Sequence, residues 1–468
     1  MSLTGCDRST PPSSGSGAGT SACDPTTATC PFAHVHTVLA IKEVAFMGNN
    51  LVEKDTLGNF PSPEWVEGRA QADQAPVSYA QNRKVQLTAK FRVARSPSAS
   101  EVVEIVGTAT FGSARLIWNG TVTVNPVDTE VTTALLTSGA ALPNHVECYE
   151  SGDIAWQFNP DGTGLVSAGT SRNVLYATLG DPTISPNYWT LLDISCRGAA
   201  GKSAEDDFVK ASFNPFHGNI GDGKGFKRKR DGTELTYYKN GGGTPSSGVF
   251  SCSDILSRAD GTGRCGAWAR FLVAMHQVHG VTSSAVFGVV PIDADLLIVK
   301  NCTFVGAGSL PPPFTHKGNL ECTKNDGIFG QGKNNPQFTF GDHALVKHST
   351  GIYDPSYGVG PKSDLKAWED GGIAGIGQMP ITSFTYSGDP HFLPGACSSG
   401  FIVYTAVAGD TLASIAAKFG VASDVALYNH AYNAAFRTSH PPPASVRSGD
   451  VVLIPRSIAS KVAILKIA

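Results

Sequence analysis

The chain has little charge of either sign. Charged residues make up 16% of its 468 residues and the net charge is −3, so no broad basic field exists to hold nucleic acid or an anionic membrane surface. No run of about eighteen apolar residues occurs, which excludes a transmembrane helix. There is no CxxC pair, which excludes zinc-finger spacing. No acidic cluster has EF-hand spacing, so calcium is not expected; the sequence implies no metal and no cofactor. The opening MSLTGCDRSTPPSSG has no apolar h-region, so it does not read as an ordinary signal peptide. The letters LTGC at 3–6 look like a lipoprotein cleavage box without its hydrophobic stretch, and lipidation is not expected.

Glycine (52) and proline (29) are plentiful, which with so few charges favours strands and loops over long exposed helices. The length allows about two to four domains with their own cores. Ten cysteines are scattered, at 6, 23, 30, 148, 196, 252, 265, 302, 322 and 397. If Cys265 is a free nucleophile, an odd number remains and cannot all pair within one chain. Some disulfides or buried thiols both stay open.

The fold class expected is multidomain. Residues 1–32 are rich in Ser, Gly, Thr and Pro and cannot bury enough surface to order themselves; Cys23, Cys30, His34 and His36 match no metal spacing. Residues 33–127 read as a β-sandwich of immunoglobulin-like type. In KVQLTAKFRVA (84–94), Val85, Leu87, Ala89, Phe91 and Val93 alternate with polar neighbours, and EVVEIVGTATFG (101–112) and ARLIWNGTVTV (114–124) continue the pattern. Residues 145–395 read as an α+β core, with strands at VLYATLG (174–180) and WTLLDISC (189–196). The basic run GFKRKRDG (225–232) reads as a solvated loop, with an acid-binding patch as the alternative. SFTYSGDPHFLPGACSSG (383–400) reads as a linker to a small unit at 402–457.

Chemistry concentrates in two segments. In GRCGAWARFLVAMHQVHG (263–280), Trp268, Phe271, Leu272, Met275 and Val278 form one apolar stripe of a buried helix, and Gly280 stops it. Cys265 opens that helix, where the dipole and unused N–H groups favour an anionic sulfur. In FGDHALVKHSTGIYDPSYG (340–358), a hairpin sets His343 near Asp354. An imidazole taking the thiol proton, with a carboxylate on its other nitrogen, is the arrangement an activated cysteine needs. Cys252 is the competing nucleophile, and His276, His279 and His348 are the competing bases. Cys252 ranks below Cys265 because its helix would be short and soon broken by Gly261, and the three histidines read as structural.

A Cys opening a buried helix, then a strand beginning His-Ala, then Tyr-Asp-Pro-x-Tyr-Gly, resembles the transglutaminase-like, papain-like cysteine enzymes over about 250–360. The resemblance implies a triad of Cys265, His343 and Asp354. It also implies an oxyanion donor, for which the Cys265 backbone N–H is the first choice and Trp189 and Trp268 are side-chain candidates. The family spans peptidases, amidases, deamidases and cross-linking enzymes.

YTAVAGDTLASIAAKFGV (404–421) with VRSGDVVLIP (446–455) resembles a LysM domain, of βααβ form. The resemblance implies a glycan groove around Gly409, Asp410, Thr411 and Leu412 and a partner such as peptidoglycan or another N-acetylglucosamine-containing glycan. Docking to a secretion or injection machine is the alternative. Together these features predict a cysteine hydrolase acting on cell-wall peptides as a bacterial antagonistic effector, exported without a signal peptide to act in the periplasm or a target cell, and paired with an immunity protein. The rivals are a protein glutamine deamidase or transglutaminase and a non-catalytic wall-binding or machine adaptor.

Overall fold

A computed structural model describes residues 37–160, 162, 164–218, 225–238, 251–291, 296–299, 330–332, 339–377, 384–386, 401–441, 445–455 and 462–465. The N-terminal segment with Cys23, Cys30, His34 and His36, and the linker apart from Phe384–Tyr386, lie outside these residues. The chain is multidomain and mostly β, with short helices gathered in its middle and in the small C-terminal unit.

The first domain is built from two five-stranded sheets. Alternation along Lys84–Arg95 puts Val85, Leu87, Ala89 and Phe91 at zero exposure and leaves the intervening polar groups towards water. Leu39, Ile41 and Phe91 from one sheet share a core with Val103, Trp118 and Trp156 from the other. This domain runs further than the sequence pattern suggests. Glu147–Asn159 and Val166–Thr178 pair with each other and join its second sheet, and Tyr176 from the second of them packs into the central core.

Two sequence expectations change in the middle of the chain. WTLLDISC forms the helix Trp189–Gly198, not a strand. Thr190 to Cys196 are all buried, polar Thr190, Asp193 and Ser195 included, so the segment has no exposed face whose period would separate helix from strand. The basic run is also not a solvated loop. Arg228 is 2% exposed and donates to Asp231, to the Thr233 hydroxyl and to the carbonyls of Leu256 and Arg258. Arg230 donates to the Asp55 carbonyl and the Thr56 hydroxyl, while the buried Asp55 carboxylate accepts from Thr190 at 2.8 and 2.6 Å. The Arg230 guanidinium, which also donates to the Ser257 carbonyl, thus ties the 55–56 loop to the helical layer, while Arg228 braces its own turn.

The central helix Cys265–Gln277 is apolar nearly all round and buried. It packs against an antiparallel sheet whose strands run in the order Val359–Lys362, Gly351–Asp354, His343–His348, Ala285–Pro291, Val462–Leu465. The last of these follows the small unit in sequence, so the chain returns to the central sheet after leaving it. The small unit pairs Phe401–Thr405 with Val451–Pro455 and has its own core, including Leu412, Ile415, Leu427 and Phe436. Its long middle segment carries an extra short helix, Ala434–Ser439. Asn433 pins this insert by accepting from the Leu453 N–H and donating to the Leu453 and Leu427 carbonyls.

Candidate active site

The approach to Cys265 is a tight fit. Thr262–Gly263 pairs in parallel with Glu234–Tyr237, and Gly261 sits at φ +62° with no room for a Cβ against the Glu234 carbonyl. The helix then begins at Cys265, with Arg264 as its extended N-cap. A first helical residue has no intrahelical acceptor for its own N–H. That group and the helix dipole face whatever reacts at the sulfur.

The hairpin supplies the other two groups. Val346 pairs with Tyr353 and His348 with Gly351. Continuing that register sets Asp354 diagonal to His343 on one face, within side-chain reach. His343 Nε2 donates to Asp354 Oδ2 at 2.9 Å. Asp354 Oδ1 accepts the Ser356 and Tyr357 N–H groups at 3.1 and 3.3 Å, and Oδ2 also accepts the Trp368 indole N–H at 3.2 Å. The carboxylate is thereby fixed in plane and rotation. With Nε2 bearing a proton, Nδ1 is the ring's remaining basic atom.

Cys265 lies beside that ring. Its hydrogen-bonding and its charge both act on His343, yet Nδ1 makes no hydrogen bond of good geometry. The contact is therefore one of proximity, as thiol–base pairs often are before substrate draws them together. Burial lowers the pKa of the ring, but the Asp354 charge and hydrogen bond, with Cys265 adding to both, outweigh it and raise the imidazole to about 10. His343 is thus cationic across the neutral range.

All three groups are enclosed. Exposure is 9% at Cys265, 2% at His343 and 1% at Asp354. Phe340 and Tyr357 lie 5.6 and 5.5 Å from the imidazole, and Trp368 stacks nearly parallel to it at 6.0 Å. Tyr237, Tyr238 and Tyr357 each feel the Cys265 charge, burial keeps all three as phenols, and the Tyr237 and Tyr357 hydroxyls bond to each other. Tyr238 adopts φ +60°, a left-handed conformation that a non-glycine residue holds only where surrounding structure imposes it. Sequence reading missed Tyr237, Tyr238 and Trp368. The aromatic pair ahead of the glycine run at 241–243 was the available signal for the first two.

The remaining sequence candidates fall elsewhere. The Trp189 indole N–H is committed to the Tyr176 hydroxyl at 3.1 Å, under the Lys229 ammonium, so it is no oxyanion donor here. The Trp268 ring is fully buried among Phe216, Phe226 and Phe271, and its indole N–H finds no hydrogen-bond partner among the described residues. Burial, with the charges of Asp55 and Asp254, raises the pKa of Cys252 and holds it as a thiol. Burial likewise raises Cys148 to about 12 and Cys196 well above its ordinary value. These three and Cys265, the cysteines among the described residues, are unbridged. His276 is held between Ser212 and Ser284 and His279 against Ser195. His348 is tied to Thr350 and Glu205.

In the small unit, Asp410 accepts from the Val407 N–H and the Tyr404 hydroxyl, and these donors hold its carboxyl below the usual range. Thr411 caps the helix Leu412–Lys418 through a reciprocal box with Ser414, and Leu412 points into the core. Of the four residues read as a glycan groove, Gly409 and Thr411 are exposed, Asp410 is half-buried and Leu412 is buried. No protein-family model matches the chain, and no curated protein matches it.

Proposed function

We propose that the chain is a cysteine hydrolase or acyltransferase of the transglutaminase-like class, with Cys265 as nucleophile, His343 as proton carrier and Asp354 as the group that fixes the ring. One observation carries this reading: an imidazole tied by Nε2 to a fully hydrogen-bonded carboxylate keeps Nδ1 unpaired beside a thiol at a helix N-terminus. The central domain is then a papain-like core, the first domain an immunoglobulin-like platform and the small unit a LysM module.

The chemistry follows from the geometry. The Cys265 thiolate attacks an amide carbonyl carbon, and the carbonyl oxygen becomes an oxyanion facing the Cys265 N–H. The C–N bond breaks as His343 Nδ1–H protonates the leaving amine. The neutral ring then takes a proton from water, which attacks the thioester and releases acid and free thiol. A LysM-like unit beside such a site favours cell-wall peptides as substrate, for a bacterial antagonistic effector. The deep aromatic enclosure supports a second reading, modification of a slender side-chain carboxamide by deamidation or transfer to an amine.

Incubation with purified peptidoglycan and, separately, with a glutamine-donor protein tests both, with Cys265→Ala as control. Soluble peptide fragments from the wall support the first reading, and ammonia release from the protein without fragments supports the second. Neither product above the Cys265→Ala background would end the proposal.

A further inference from the structure

Trp368 stands in a segment to which the sequence assigned no role. It lies on the helix Leu365–Gly372, whose N-cap Asp364 accepts the Ala367 N–H at 2.8 Å, and its side chain has no exposure. Two features bind it to the site. Its indole N–H donates to Asp354 Oδ2 at 3.2 Å, the oxygen that also accepts His343 Nε2–H at 2.9 Å. Its ring lies 12° from parallel with the imidazole, at a centroid distance of 6.0 Å.

Each feature removes a freedom the imidazole would otherwise have. With Ser356 and Tyr357 N–H on Oδ1, the Trp368 donor completes the set that prevents Asp354 from turning. The stacked ring walls one face of the imidazole while Tyr357 and Phe340 stand within 5.5 and 5.6 Å, so a ring flip exchanging Nδ1 and Nε2 is sterically opposed. We propose that Trp368 is a positioning residue: through Asp354 and through the stack, it keeps His343 Nδ1 aimed at the Cys265 sulfur. This inference rests on the thiol–imidazole reading above.

The test is the rate of Cys265 alkylation by iodoacetamide as a function of pH in the full chain. Trp368→Phe keeps an aromatic wall and removes the donor. Losing one hydrogen bond to a charged group predicts a rate about tenfold lower at neutral pH and an acid limb displaced upward by about one pH unit. The His343 Nε2 proton in NMR is expected to broaden, because the ring is no longer held. A lower melting temperature with wild-type rate, limbs and proton signal would make Trp368 structural only and overturn the proposal. If Trp368→Phe does not fold, benzothienylalanine at 368 keeps the ring's size and removes only the N–H, and the same readouts decide. His343→Ala separates the two layers. If wild-type labelling does not depend on His343, the thiol–imidazole reading fails. If it does depend on His343 and the Trp368 variants match wild type, only the Trp368 assignment fails.

Discussion

Acidification will destabilise the helical domain through two histidines that take no part in the proposed chemistry. His279 Nδ1 accepts the Leu179 N–H at 3.1 Å, and its Nε2–H faces Ser195 Oγ at 2.8 Å. Ser195 spends its own proton on the Leu191 carbonyl at 2.6 Å, so the imidazole must be the donor in that pair. His276 is placed likewise: Ser212 donates to the Val209 carbonyl, which leaves its oxygen to accept from His276 Nε2–H and leaves Nδ1 to accept from Ser284. Both rings are satisfied only when neutral, and burial lowers both to about 3. In the unfolded chain they titrate at about 6.5. With the folded value depressed, the unfolded state binds the extra protons, so stability is full above about pH 6.5 and is lost as pH falls towards 3. Between about pH 7 and about pH 5 each ring accounts for a loss of about 2 kcal/mol, or about 4 together. His343 moves the other way. Its folded value is raised, so its contribution is complete below about 6.5 and is lost as pH rises through 10. Over the same interval it returns about 1 kcal/mol, leaving a net loss of about 3. Urea unfolding followed by tryptophan fluorescence at the two pH values measures this, with the His276→Asn, His279→Asn double variant expected to flatten the dependence. Equal stabilities at both pH values, or a double variant that keeps the full loss, would refute the argument.

Two further substitutions probe how the domain is held. Arg228→Ala removes a buried guanidinium that serves the exposed Asp231 and two main-chain carbonyls, and is expected to cost about 2–4 kcal/mol in urea unfolding, chiefly from the carbonyls left unpaired; a loss below about 1 kcal/mol would return this run to the solvated-loop class. Gly261→Ala forces a Cβ against the Glu234 carbonyl at φ +62°. It should lower stability by about 1–3 kcal/mol and slow Cys265 labelling, and a crystal structure with the backbone unmoved at 261–265 would contradict it.

What was legible in the sequence was local and periodic. The alternation of Val85, Leu87, Ala89 and Phe91 reads as a one-faced strand because that face is dry. The stripe from Trp268 to Val278 and the Thr411 cap were equally plain. The hairpin from His343 to Asp354 was visible, and its register supplies the diagonal that joins them. The rest depends on partners distant in sequence. Arg228 and Arg230 read as surface charge until Asp231, Asp55 and the carbonyls around them are known. Trp368 and Tyr238 converge on Cys265 and His343 from other elements with no local signal of their own. Val462–Leu465 pairs with Ala285–Pro291 from across the small unit, a contact that no local pattern contains.

The most direct measurement is the rate of Cys265 alkylation across pH in wild type and in His343→Ala. A sulfur that shares its proton with a fixed imidazole reacts quickly at and below neutral pH, and loses that advantage when the ring is removed. A wild-type profile matching a cysteine in a short unstructured peptide, and unchanged by His343→Ala, would contradict the account.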